Sequence, residues 1–201
     1  MKIICIGRNY ADHAKELNNA LPEEPVFFMK PDTALLRNND PFYLPDFSQD
    51  VHHEIELVLR ICKAGKHIEP EFAPAYYNEI SAGIDFTARD VQQQLKQKGL
   101  PWEKAKAFDG SAVIGTFLPF AEMPENIAFS LEKNGETVQR GLSSDMIFSF
   151  NEIISFVSRF VTLKVGDLVY TGTPAGVSAV QIGDTLAGKL GSTEVFRFAV
   201  R

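Results

Sequence analysis

His53-Glu-Ile-Glu-Leu-Val-Leu-Arg-Ile-Cys62 carries the clearest strand signal in the chain. From Glu54 to Cys62 it is rich in branched apolar residues that partly alternate with polar ones, the pattern of a strand with a buried face. Further strands are expected on both sides of it. Residues 1–8 read as one, and Pro25-Val-Phe-Phe-Met-Lys30 as another, stopped by Pro31, which has no N–H to give a ladder. Asn134-Gly135 lies between two strand-like runs within residues 126–140, and that dipeptide suits a tight hairpin turn. Short strands with Gly-rich turns are expected from Leu168 to Val200, and residues 41–50 are turn-rich.

Helices are fewer. Tyr10 to Leu17 reads as a short one, ending before Asn18-Asn19 and Pro22. Thr87 followed by Asp90 resembles a capping box, opening a helix that runs through Val91-Gln-Gln-Gln-Leu95 to Gly99, with Pro101 beyond. The three glutamines are expected on its solvated face. Ser149 and Glu152 form a second capping box ahead of Ile153, Ile154, Phe156, Val157 and Phe160 at helical spacing. Regular helical crossovers between strands are not evident, which argues against a doubly wound sheet. The expected class is α+β, mostly β, in one domain spanning 1–201.

The chain has 201 residues, enough to bury a core without disulfides. Its net charge of −6 argues against a nucleic-acid partner. Cys5 and Cys62 both lie in apolar runs and are expected to be buried free thiols, which fits a reducing compartment. The apolar run Ile3-Ile-Cys-Ile6 stops at Gly7-Arg8-Asn9, too short for a signal peptide. No run approaches the roughly 20 residues of a membrane span. A cytoplasmic protein is expected for a prokaryotic source.

Three groups of residues carry chemical interest. Glu54 and Glu56 stand at i and i+2 in a strand and therefore share a face. Two carboxylates so close repel unless a cation lies between them, and oxygen-only ligands favour Mg²⁺, Mn²⁺ or Ca²⁺ over Zn²⁺. Taken alone, Glu-x-Glu is more often a solvated pair. Asp85, after Ala82-Gly83-Ile84, is, taken alone, more often a simple residue leading into a helix. His13 and Glu16, at i and i+3 on a helix, share a face, and a carboxylate beside an imidazole orients it as a base. A solvated ion pair is the commoner meaning. Lys106 would ordinarily be a surface lysine, and His52-His53 lacks zinc-site spacing and is expected to be structural. Gly183-Asp-Thr-Leu-Ala-Gly188-Lys189 satisfies Gly-x4-Gly-Lys, but Leu190 stands where a P-loop needs Ser or Thr, so phosphate binding is not expected there.

Six segments together resemble the fumarylacetoacetate hydrolase (FAH) family, in particular its short single-domain branch of acylpyruvate hydrolases and oxaloacetate decarboxylases. They are Gly7-Arg-Asn-Tyr-Ala-Asp-His-Ala-Lys-Glu16, Phe28-Met-Lys-Pro31, His53-Glu-Ile-Glu-Leu57, Gly83-Ile-Asp-Phe-Thr-Ala-Arg-Asp-Val-Gln92, Pro101-Trp102 through Lys106-Ala-Phe108, and Thr171-Gly-Thr-Pro-Ala-Gly176. They stand in family order and span nearly the whole chain. Larger members carry an additional N-terminal domain for which this chain has no room.

The resemblance implies a mixed β-roll with a few peripheral helices, usually a homodimer, acting on a small keto-acid substrate. It implies Glu54, Glu56 and Asp85 as ligands of Mg²⁺ or Mn²⁺, with Ca²⁺ a possible occupant in crystals. It implies His13 and Glu16 as a water-activating dyad, Lys106 as a holder of developing negative charge, and Tyr10, Lys30, Arg89, Gln92 and Thr173 as substrate contacts. The expected reaction is hydrolysis of a C–C bond in an acylpyruvate or related 1,3-dicarbonyl acid through a metal-stabilised enolate. Decarboxylation of oxaloacetate and isomerisation of a dienoate or keto acid need the same electron sink and remain alternatives; retention of the whole residue set argues against a silent binding domain. The sequence departs from the family pattern at Asp109-Gly-Ser-Ala-Val-Ile114 and at Val-Ser-Ala-Val-Gln after Gly176, which leaves substrate size and specificity open.

Overall fold

The structure, a computed structural model, describes residues 1–16 and 20–201. In chain order its strands are β1 (Ile3–Gly7), β2 (Val26–Lys30), β3 (Leu35–Leu36), β4 (Val51–His53), β5 (Ile55–Ile61), β6 (Tyr77–Asp85), β7 (Thr87–Ala88), β8 (Ala112–Ile114), β9 (Leu118–Pro119), β10 (Ala128–Lys133), β11 (Glu136–Leu142), β12 (Leu168–Tyr170), β13 (Ser178–Ala179), β14 (Thr185–Leu190) and β15 (Thr193–Ala199). The α-helices are α1 (Ala11–Glu16), α2 (Arg89–Gln97), α3 (Glu103–Lys106) and α4 (Phe150–Phe160). Among the described residues the strands form a large sheet ordered β2-β1-β12-β5-β6-β8-β3, with β9 beside β6, a second sheet β11-β10-β14-β15, and a small one β13-β4-β7. Strand β1 runs parallel to β12, and β3 parallel to β8; the other pairs are antiparallel. The class is α+β, mostly β, as the sequence leads one to expect.

The large sheet is buried on both faces, which is why β5 reads as a nearly continuous apolar run. Ile55, Leu57, Leu59 and Ile61 join Ile4, Ile6, Ile80, Ala82 and Ile84 in the main core. The intervening residues face the other way, where Val58 packs with Ile3, Cys5, Ala112, Ile114 and Tyr170. Glu56 pairs with Gly83 across β5 and β6. The two-residue period therefore puts Glu56, Gly83 and Asp85 on this second face. A Cβ at Gly83 would come within 2.4 Å of the Val113 carbonyl, so only glycine allows β8 to lie so close.

Other local signals behave as read. Asn134 (φ 55°) and Gly135 (φ 86°) join β10 to β11 through the left-handed pair of residues that a tight hairpin requires. Ser149 caps α4 in a complete capping box with Glu152, and Ile153, Ile154 and Val157 enter the core. Each such burial removes about 1.5–3 kcal/mol of apolar exposure. The Gly183–Lys189 stretch is a turn entering β14, and Lys189 pairs with Glu132, so it forms no phosphate loop.

Several expectations are corrected. Thr87 does not cap α2: it pairs with His52 as part of β7, while Asp90 accepts hydrogen bonds from Ser48 Oγ and the Gln49 N–H, a long-range anchor. Gln92 is buried, and only Gln93 and Gln94 face solvent. Cys5 is buried, but Cys62 is only half-buried. The expected end of α1 at Leu17 and the polar Asn18-Asn19 stretch lie outside the described residues. No helix among the described residues is long and apolar enough to cross a membrane.

Candidate metal centre and active site

The three carboxylates converge. Glu54 immediately precedes β5, and its carbonyl accepts the Asp85 N–H at 2.9 Å, locking the ends of β5 and β6 side by side. Glu54 is 5% exposed, and Glu56 and Asp85 are 1% exposed each. One oxygen from each of the three lies within 4.8 Å of the others. A solvated pair on an open sheet face is thus excluded, and the burial needs a physical compensation.

Part of that compensation comes from cations on other elements. Lys106, at the end of α3 and only 3% exposed, donates to Glu54 Oε2 at 2.8 Å and to Asp85 Oδ2 at 2.7 Å. It is no surface lysine. Arg89, at the start of α2, donates to Glu54 Oε1 at 2.5 Å. Lys30 closes β2 with its ammonium 2.6 Å from Asp85 Oδ1. It also donates to Ser111 O and Oγ and to Phe86 O, which fixes it behind Asp85. Glu56 receives one hydrogen bond, from the Gly172 N–H at 2.7 Å.

The electrostatics follow this geometry. Burial alone would raise the Glu54 carboxyl, but Lys106 and Arg89 hold it well below the usual carboxylate range. Glu56 is pushed well above that range by burial and by the Asp85 and Glu54 charges, which the Gly172 N–H offsets only in part. Burial acts to lower the Lys106 ammonium, yet the Asp85 and Glu54 charges raise it, so it stays charged. Below the cluster, burial and the Asp85 charge push the Cys5 thiol well up, keeping it protonated. Glu56 is thus a buried carboxylate with little to stabilise its charge, while Asp85 is ion-paired to Lys30 and Lys106. This oxygen donor set fits a divalent cation held by Glu54, Glu56 and Asp85.

His13 and Glu16 meet on α1, with His13 Nδ1 3.0 Å from Glu16 Oε2. Glu16 Oε1 accepts the Gly176 N–H at 3.0 Å, tying α1 to the loop after β12. With Nδ1–H donated to Glu16, Nε2 is left to exchange a proton, and His13 lines the same cleft as the three carboxylates. Arg89, Gln92, Thr173 and Lys106 line it too. Gln92 Oε1 accepts from Arg89 Nη1 at 2.8 Å and steadies the guanidinium. The structure does not bring Tyr10 or Lys30 to the cleft lining. Tyr10 packs edge-on against Phe129 and donates its hydroxyl to Leu142 O, while Lys30 stands behind Asp85.

Sequence reasoning missed the support behind the cleft. Gln139, on β11, accepts from Ile55 N–H and His53 Nδ1 and donates to Thr173 Oγ1 and Pro174 O, which uses its full hydrogen-bonding capacity. No local signal marks it, because all its partners are distant in the chain. Gly172, at φ +102°, adopts a conformation that L residues avoid, and a Cβ there would strike Asn9 at 2.6 Å. The clue to its importance is its place in Thr171-Gly-Thr-Pro174.

His53 is structural, as expected. Burial lowers it from 6.5 to about 4, although its bond to Gln139 works in the opposite direction. The unfolded chain therefore binds more protons between those values, and stability is lost as pH falls from 6.5 towards 4. The loss amounts to about 3 kcal/mol. Urea unfolding midpoints measured across that window should fall less steeply for His53→Gln than for the parent; parallel slopes would contradict the assignment.

A buried tricarboxylate cluster whose cleft is also lined by His13, the partner of Glu16, is the arrangement of a candidate divalent-cation site. Residues 2–196 match the family described as fumarylacetoacetate (FAA) hydrolase C-terminal, and the chain belongs to the fumarylacetoacetate hydrolase family. It is 45% identical over 188 residues to oxaloacetate tautomerase YcgM of Escherichia coli (strain K12), a match spanning 92% of this chain and 86% of the relative. It is 41% identical over 201 residues to the mitochondrial oxaloacetate tautomerase FAHD1 of Mus musculus, spanning 99% and 91%. The crystal structure of fumarylpyruvate hydrolase from Pseudomonas aeruginosa, in complex with Mn²⁺ and pyruvate, superposes with a TM-score of 0.93 at 39% identity, covering 100% of this chain and 89% of that one.

Proposed function

We propose that the protein is a Mg²⁺- or Mn²⁺-dependent enzyme that interconverts the enol and keto forms of oxaloacetate or a close 2-keto acid. The observation that carries this reading is the buried Glu54–Glu56–Asp85 cluster facing a cleft that is also lined by His13, which Glu16 holds from behind. The names of the E. coli and mouse relatives support it. A bound divalent cation would polarise the keto and carboxylate oxygens of the substrate as a Lewis acid.

The chain's own residues supply the proton chemistry. Tautomerisation removes a proton from the enol oxygen and adds one at C3, so substrate composition is unchanged. His13, held through Nδ1 by Glu16, moves the C3 proton at Nε2. Lys106 offsets negative charge developing on the substrate oxygen. The same dyad suits deprotonation of a water, and the resemblance to a fumarylpyruvate hydrolase favours C–C hydrolysis as a second reading.

The experiment is to add purified protein with Mg²⁺ to enol oxaloacetate and follow both enol decay and product mass. Tautomerisation leaves the mass unchanged, hydrolysis of an acylpyruvate adds a water, and decarboxylation releases carbon dioxide. EDTA should abolish the acceleration, and His13→Gln should lower kcat by roughly 10²–10⁴-fold. Enol decay no faster than the uncatalysed rate would refute the proposal.

A further inference from the structure

We propose that Arg8 and Lys96 form a grip at the mouth of the cleft that binds a second, distal carboxylate and so selects dicarboxylate keto acids over monocarboxylate ones. This rests on reading the cleft as a keto-acid site. The cleft lining carries Arg8, Arg89, Lys96 and Lys106 as cations. Arg89 and Lys106 are occupied by Glu54 and Asp85. Among the described residues, Arg8 and Lys96 show no ion pair with any carboxylate. Two cations left without a counter-charge beside a metal-type centre, in a chain of net charge −6, call for an anion supplied from outside.

Both residues are placed at the cleft by their surroundings. Arg8 follows β1 in a left-handed conformation (φ 61°) that residues with side chains adopt at a cost. The turn is held by its neighbour Asn9, whose amide donates to Thr171 O at 2.8 Å and accepts the Phe148 N–H at 2.7 Å. Lys96 lies one helical turn after Gln92 on α2, hence on the face that meets the cleft. Its ammonium sits 5.4 Å from the centroid of the Trp102 ring. Trp102 meets Phe28 edge-on at 5.9 Å, and Phe28 in turn carries the Lys106 ammonium at 5.2 Å. A two-ring wall thus holds one ammonium beside the carboxylate centre and the other at the entrance. Burial, then the nearby Arg89 and Arg8 charges, lower the Lys96 ammonium, and the Glu54 charge offsets this only in part.

Pyruvate and oxaloacetate differ by a single carboxylate on C3, which makes them the appropriate probes. Affinity is read by thermal stabilisation of the Mn²⁺-loaded protein and, separately, from KM for oxaloacetate and Ki for pyruvate. Lys96→Met and Arg8→Met should each weaken oxaloacetate roughly tenfold while leaving pyruvate within about twofold, and Lys96→Arg should retain most of the preference. Equal weakening of both ligands, or no change in either, would overturn the grip. Arg8→Gln provides a second neutral variant should Arg8→Met fail to fold. The thermal readout does not need turnover. A protein that binds oxaloacetate selectively but does not tautomerise it refutes the proposed reaction and leaves the grip standing, whereas turnover without selectivity does the reverse.

Discussion

Glu56→Gln should abolish cation binding and catalysis yet raise the melting temperature of the cation-free protein. Glu56 is buried beside two other carboxylates; its one hydrogen bond comes from the Gly172 N–H, and that bond and the more distant Lys106 charge offset the burial and repulsion only in part. A glutamine keeps an oxygen for that hydrogen bond and removes the repelling charge. The sign is fixed by linkage: a carboxyl whose folded value lies above its unfolded value near 4.5 binds more protons folded than unfolded, so the wild type loses stability as pH rises beyond 4.5. The variant's advantage should therefore appear above that pH and vanish below it. Each kcal/mol relieved corresponds to about 2–4 °C in a chain of this size. A charged ligand is lost at the same time, so kcat should drop at least about a hundredfold. Calorimetry in EDTA and in Mg²⁺, from pH 4 to 8, tests both halves of the statement. A lower melting temperature in EDTA, or a Mg²⁺-induced shift equal to that of the parent, would count against Glu56 as a ligand.

Lys106→Met should act in the opposite direction on stability. The substitution strips the ammonium from Glu54 and Asp85 together, and removing one partner of a buried ion pair costs about 3–5 kcal/mol. At about 2–4 °C per kcal/mol, a fall of roughly 6–20 °C follows for the cation-free protein. Mg²⁺ should restore more of this loss than it adds to the parent, because a divalent cation and an ammonium satisfy the same oxygens. Catalysis should not recover with stability if, as proposed, Lys106 also offsets charge on the reacting substrate; a loss of about 10²–10³-fold is expected even when the protein is saturated with metal. Thermal scans with increasing Mg²⁺, paired with rates at saturation, separate these effects. Wild-type melting in EDTA, or full recovery of the rate, would contradict the dual role.

The parts of the fold that the sequence displays are those governed by neighbours in the chain. The apolar run from Ile55 to Ile61, the Asn134-Gly135 turn and the Ser149–Glu152 box each act within a few residues, and each appears in the structure. The start of α2 was misleading because its polar residues are committed to distant partners. Thr87 joins His52, and Asp90 joins Ser48. The carboxylates occupy a middle ground. Spacing places Glu54 and Glu56 together, but their burial depends on β6 and on a lysine fifty-two residues away, which no local window contains. Arg8 and Lys96 stand near the site candidates His13 and Gln92 in the chain, but that the two of them line one cleft depends on β1 and α2 meeting there, which neither segment shows by itself.

The hairpin of β10 and β11 shows how an exposed turn can be intolerant of change. Gln139 faces the site only because Asn134-Gly135 and the irregularity at Leu131/Glu132 set where it falls on β11. One residue added at the tip would let β11 slide by a single position and turn every side chain to the opposite face. The Gln139 amide would then point to solvent, leaving the Ile55 N–H and the Thr173 hydroxyl without the partner that connects them. For anyone grafting a tag or a loop onto this scaffold, this exposed bend in the second sheet is therefore a poor insertion point, because it works as a ruler for a centre it never touches.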